Sequence, residues 1–129
     1  MSLMTKERAY RLPSLQLAFI GDTVCDLLTR TGLMFTPLPV REMHSAASKV
    51  VNARAQARML DAVLHLLEPD EADIVRRARN AHPGHGIPQA ATREEYMKAT
   101  AFEALMGYLY LTGQMLRAQK LFELSRIKE

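Results

Sequence analysis

From Ser14 to Arg30 the apolar positions Leu17, Ile20, Val24, Leu27 and Leu28 recur at helical spacing, and Ala18, Phe19 and Cys25 widen the stripe until little of the circumference is polar. That pattern predicts a helix that is either central or placed at a subunit interface. Met34 to Pro39 carries two prolines and reads as a connection. Val40 to Val50 and Asn52 to Leu67 read as two more helices with a bend near Val51 and Asn52, the second amphipathic through Ala55, Met59, Val63 and Leu66. Pro69 opens another helix. It has Asp70, Glu71 and Asp73 early and Arg76, Arg77 and Arg79 late, the order that the helix macrodipole favours.

Asn80 to Ala91 contains two Gly, two Pro and two His and is the longest irregular stretch. Thr92 and Glu95 then form a capping box that opens a long helix through Leu111, which Gly113 is placed to end. A last amphipathic helix runs from Met115 to about Arg126 and offers Leu116, Leu121 and Leu124 to the core. No strand pattern and no internal repeat competes with this all-α reading.

Composition agrees. Hydrophobic residues make up 48% of the 129 but aromatic residues only 6%, so Leu, Ala, Val, Ile and Met must build the core, which suits packed helices. The length predicts one domain over residues 1–129. A lone cysteine, Cys25, excludes an intramolecular disulfide, reads as a small buried hydrophobe and points to the reducing cytoplasm. No stretch has the length and apolarity of a membrane span, so no membrane partner is expected. The net charge of +3 is compatible with a polyanionic partner without demanding one.

Two acids stand out against this background. Asp22 lies in LAFIGDTVCDLL and Glu103 in TAFEALMGYLYL, each a carboxylate inside a strongly apolar helix. Burying an ionised carboxylate costs several kcal/mol unless a partner or a cation compensates. Each alone reads as a salt-bridged core residue. The two together, with few cations beside them in sequence, point to a shared metal, and Mg²⁺ needs only one or two protein carboxylates because water and phosphate oxygens complete its shell. Gly21 and Gly107 sit beside these acids inside helices, where glycine costs about 1 kcal/mol relative to alanine. Close helix packing and space for an RNA backbone or a water are the two explanations.

The segment Ile20 to Asp22 within LAFIGDTVCDLLTR resembles the ribonuclease III signature, and Phe102 to Leu111, FEALMGYLYL, resembles the family's second acidic motif. HSAASKVVNARAQARML (His44 to Leu60) and RRARNAH (Arg76 to His82) are similar to the Mini-ribonuclease III branch in order and spacing. The resemblance covers roughly Leu15 to Leu121. It implies a ribonuclease III catalytic-domain fold in a homodimeric helical bundle, with no double-stranded-RNA-binding domain. It also implies an endoribonuclease that uses Mg²⁺, with Mn²⁺ as a substitute, and that leaves 5′-phosphate and 3′-hydroxyl ends on duplex RNA. The branch is associated with maturing precursor 23S ribosomal RNA; whether a ribosomal-protein helper takes part is not readable from the residues. Asp22 and Glu103 match the family's catalytic metal ligands. Two further acids of the longer enzymes correspond to Ala18 and Thr100 here, as in the reduced site of the Mini branch.

Around that pair, Asp26 is one turn beyond Asp22 and could orient a water, with a salt bridge as its ordinary explanation. Thr100 is the other candidate supporting residue. With no second domain to hold RNA, contacts to phosphates and 2′-hydroxyls must come from the catalytic domain. The candidates are Arg76, Arg77, Arg79, Asn80 and His82, with Lys49, Arg54 and Arg58 as a second basic run and Lys98 near Glu103. Lys98 reads equally well as the neutraliser of a neighbouring acid. His44, His65, His82 and His85 form neither a His-Asp dipeptide nor a His-x-x-x-His pair, so a histidine metal centre is not indicated. His44 reads as a capping or interface residue and His65 as a partly exposed one. The competing functional readings are a catalytically silent duplex-RNA-binding or scaffolding dimer of the same fold, and a helical dimer whose acids form plain salt bridges.

Overall fold

The computed structural model describes residues 2–81 and 91–126 and contains seven α-helices and no strand among them. They are α1 (Lys6–Tyr10), α2 (Ser14–Leu33), α3 (Val40–Ser48), α4 (Ala53–Val63), α5 (Pro69–Arg79), α6 (Arg93–Leu111) and α7 (Met115–Ser125), with a single 3₁₀ turn at Leu64–Leu66 after α4. The expected Asn80 to Ala91 loop lies largely outside the described residues, as do His82 and His85.

The capping chemistry sets the boundaries. Thr92 Oγ1 accepts from the Glu95 N–H at 3.0 Å while the Glu95 carboxylate accepts from the Thr92 N–H at 2.9 Å, the reciprocal pair expected at the start of α6. Gly113 adopts φ 76° just past the end of that helix, a conformation open to glycine. The bend expected near Val51 and Asn52 is a complete break. Asn52 Oδ1 accepts from the Ala55 N–H at 2.9 Å to cap α4, and its Nδ2 donates to the carbonyls of Ser48 and Lys49 at 2.9 and 3.0 Å, tying off α3. A single side chain thus satisfies groups at both helix ends.

Helix α6 is the axis of the molecule. Ala99, Ala101, Phe102, Leu105, Met106 and Leu109 are all buried, because α2, α4, α5 and α7 surround it. Leu17, Leu60, Val63, Ile74 and Leu121 enter the same core, and the Phe102 and Phe122 rings meet at 6.2 Å. α2 is central, as one of the two expectations made for it has it. One side packs along α6, whereas Leu15, Phe19 and Leu27 stand exposed on the other, Phe19 by 82%. Leu116 departs from expectation: it is 83% exposed, since α7 turns its Ala118, Leu121 and Phe122 inward instead. The short α1 had no strong periodic signal. It is held by Arg77, which donates to the Tyr10 and Leu12 carbonyls at 2.7 and 3.2 Å and stacks its guanidinium 4.5 Å from the Tyr10 ring centre.

Candidate active site

The two unusual glycines explain how the site is built. A Cβ added at Gly21 would lie 1.6 Å from the Glu103 carbonyl oxygen, and one added at Gly107 would lie 2.1 Å from the Leu17 carbonyl oxygen. α2 and α6 therefore touch backbone to backbone, and of the two explanations for these glycines the close packing of helices holds. That contact places residue 22, immediately after Gly21, beside residue 103. Asp22 and Glu103, distant in sequence, become neighbours because nothing larger than hydrogen separates their helices.

Their environments differ. Asp22 is exposed, not buried as its apolar surroundings in sequence suggested. Glu103 is largely enclosed. Burial pushes its carboxyl up to about 9, with hydrogen bonding to Asp22 and the Asp22 charge adding in the same direction, and the Gln56 side chain opposing them. Two carboxylates this close resist being ionised together unless a cation lies between them. Among the described residues no cluster of three or more His, Cys, Asp or Glu side chains forms. The pair therefore fits a cation that keeps much of its water shell and takes few protein ligands, as Mg²⁺ does.

The surroundings of the pair are sparse. Ala18 and Thr100 occupy the positions beside it, and the Thr100 hydroxyl donates to the Tyr96 carbonyl of its own helix at 3.0 Å. Asp26 pairs with Arg30 at 3.3 Å, the ordinary salt bridge of adjacent turns. Cys25 is buried beneath the site, and burial, followed by the charges of Glu103, Asp22 and Asp26, raises its thiol well above the usual value. It stays protonated and offers no nucleophile. Gln56 was not singled out in sequence. It projects from α4 and is 4% exposed, and its Nε2 has no hydrogen-bond partner among the described residues. The available signal was an amide within the otherwise apolar inner stripe of α4.

The candidate RNA contacts divide. Arg77 is occupied with α1, and Arg76 donates through Nε to Asp73 at 3.0 Å. Lys98 has its ammonium 3.0 Å from Asp61 and 3.5 Å from Glu94, so the neutralising alternative describes its contacts here. Arg54 lies 3.6 Å from Glu95. Lys49 and Arg58 are exposed, with no ion pair among the described residues. Asn80 caps α5 and donates to the Arg76 carbonyl at 3.0 Å. Arg76, Arg79 and Asn80 line a groove of about 620 Å³ together with Arg93, which opens α6. Sequence reasoning missed Arg93. A cation in the first turn of a helix opposes the macrodipole, and that mismatch was its signal. His44 is exposed within α3, away from either cap, beside Arg30, Met34 and Met43, and His65 is exposed in the 3₁₀ turn.

Comparison with known proteins places this arrangement in context. The Ribonuclease III domain family matches residues 15–114. A Mini-ribonuclease 3 of Thermoanaerobacter sp. is 43% identical over 124 residues, covering 95% of this chain and 87% of that protein. A Mini-ribonuclease 3 of Symbiobacterium thermophilum is 42% identical over 113 residues, 87% of this chain and 86% of its own. A solved structure from Fusobacterium nucleatum superposes with a TM-score of 0.82 at 26% identity, covering 93% of this chain and 94% of that one.

Proposed function

The chain belongs to the ribonuclease III family, in the branch of the Mini-ribonuclease 3 enzymes, and from that membership we propose that it cuts double-stranded RNA at Asp22 and Glu103 with a divalent cation held between them. It is an endoribonuclease of the ribonuclease III type, and the family generally depends on divalent metal. The observation that carries the assignment to these residues is the backbone contact at Gly21, which brings the two carboxylates together at a surface that duplex RNA can reach.

A bound Mg²⁺ or Mn²⁺ supplies Lewis-acid chemistry: it acidifies water and offsets the negative charge that builds on the scissile phosphate. The chain's own contribution is positional. Asp22 presents its carboxylate from the exposed side of α2, and Glu103 presents its own from the wall of the core, so these two would hold a cation where solvent and a phosphate still have access. The water oxygen attacks phosphorus as the bond from phosphorus to the 3′ oxygen breaks. The departing oxygen takes up a proton, leaving a 5′-phosphate and a 3′-hydroxyl. The 2′-hydroxyl takes no part.

The groove lined by Arg76, Arg79 and Arg93 supports a phosphate-binding role for that face, with Asn80, His82 and Lys49 as further candidate contacts. Leu15, Phe19 and Leu27 on α2 support a homodimer, because an exposed apolar row on a single helix is the kind of surface that a second copy covers. The natural substrate we propose is precursor 23S ribosomal RNA, following the branch. No helix among the described residues is long and apolar enough to cross a membrane, and a cytoplasmic site of action belongs to the same proposal.

Incubation with a structured precursor duplex, in Mg²⁺ or in EDTA, tests the reading on a denaturing gel. Cuts on both strands that require the metal and vanish in Glu103→Gln are the expected result. Binding without cutting by folded wild-type protein would favour a silent RNA-binding role.

A further inference from the structure

Gln56 is out of place by the ordinary rules of a core. Its neighbours on the inner face of α4 are Ala55, Ala57, Met59 and Leu60, all buried. A buried amide without a partner costs stability, and an apolar residue of the same length would avoid that cost. Nothing on α4 takes the Nε2 hydrogens. Across the contact between α4 and α6 this amide neighbours the Glu103 carboxylate, although the two do not meet hydrogen-bond geometry. The donor is buried and not engaged.

No other donor among the described residues is placed for this task. Among the described residues neither Asp22 nor Glu103 has an ion-pair partner; Lys98, five residues before Glu103 on α6, is committed to Asp61 and Glu94. Thr100 spends its hydroxyl on Tyr96, and Ala18 has no polar atom to offer. The site has two carboxylates and a single buried amide beside the more enclosed of them.

We propose that Gln56 is a positioning residue of the metal site: its Nε2 donates to one oxygen of Glu103, holding that carboxylate in one orientation and leaving the other oxygen to a cation. The inference rests on the metal-site reading above. It explains why an orphaned amide is tolerated at 4% exposure, since a cation on one oxygen of Glu103 would fix the other as the acceptor for this donor. A ligand held by a hydrogen bond behind it loses less freedom on binding, and removing such a partner typically weakens metal affinity about 10- to 100-fold.

The test is Mn²⁺ binding without RNA, followed by electron paramagnetic resonance of the free ion, on wild type, Glu103→Gln, Gln56→Met and Gln56→Leu. Methionine keeps the length and removes the donor; leucine is a second apolar replacement. Wild type binds and Glu103→Gln does not. Both Gln56 variants are expected to melt at or above the wild-type temperature without metal, yet to bind Mn²⁺ at least about tenfold more weakly, with duplex cleavage falling in kcat and RNA affinity kept. Mn²⁺ affinity within twofold of wild type in a folded Gln56 variant would overturn the proposal and leave the metal site standing. Unfolding of both Gln56 variants would also overturn it, by showing that the amide is a requirement of the core. Wild type that binds no Mn²⁺, or Glu103→Gln that binds it equally well, would remove the metal site itself and this role with it.

Discussion

A methyl group at position 21 would collide with backbone and not with a movable side chain, lying 1.6 Å from the Glu103 carbonyl oxygen and 2.5 Å from its carbon. Neither helix can yield by a rotamer change. Gly21→Ala is therefore expected to force α2 and α6 apart and to destabilise the protein by about 3 kcal/mol or more, read from urea unfolding. At Glu103 the effect has a pH signature. Its carboxyl, at about 9 in the folded protein against an ordinary 4.5, still holds a proton between those values when the unfolded chain has released it. Metal-free stability should therefore fall as pH rises through that window. Glu103→Gln should remove this part of the slope and stabilise the metal-free protein at pH 8 by about 1–3 kcal/mol, whereas added Mg²⁺ should raise the melting temperature of wild type only. Calorimetry with and without EDTA checks both statements. Asp22 and Glu103 were legible in sequence because an acid in an apolar helix is conspicuous; the exposure of Asp22 was not, because periodicity cannot say which side of a nearly all-apolar helix is left open.

Among the elements, α5 and α7 are joined by the most enclosed ion pair among the described residues. Arg117 donates through Nε and Nη2 to the Glu71 carboxylate at 3.0 and 2.8 Å and through Nη2 to the Leu66 carbonyl at 2.7 Å. Glu71, 2% exposed, also accepts from the Glu68 N–H at 2.8 Å. Arg117→Met would leave a buried carboxylate without its cation, at a cost of about 3–5 kcal/mol, and combining it with Glu71→Met should recover most of that loss. Melting curves of the single and double variants decide the point. In sequence Glu71 had a sufficient explanation as an acid in the first turn of α5, which concealed its second task, since its partner lies 46 positions away. The helix limits set by Pro69, Thr92 and Gly113 needed no such partner and were readable at once.

At the scale of the whole molecule, the exposed row on α2 and the basic groove lead to separate predictions. If two copies meet through Leu15, Phe19 and Leu27, Phe19→Glu should yield a folded monomer in light scattering, while wild type elutes as a dimer. For RNA, reversing Arg79 and Arg93 together should weaken duplex binding and reduce the slope of log affinity against log salt by about two. Arg77→Glu should instead lower the melting temperature, because that guanidinium clasps α1. The salt series on the two variants separates phosphate contact from structural support, two roles that neighbouring arginines in one run present identically in sequence.

What could be known before any folding was whatever depends on near neighbours along the chain. Helical periodicity, the Thr92 and Glu95 cap, the run of acids and then arginines in α5, and the two motifs that carry the family resemblance all act over a turn or two, so the order of residues expresses them directly. Whatever depends on approach between distant segments had to wait for packing. Gly21 against Glu103 settled the purpose of two glycines, Arg77 against Tyr10 and Lys98 against Asp61 drew two cations into structural contacts, and Gln56 came to lie buried without a partner. The backbone contact and the two ion-pair and carbonyl contacts follow from how whole helix faces fit together, a sum over many side chains that no single stretch of sequence contains.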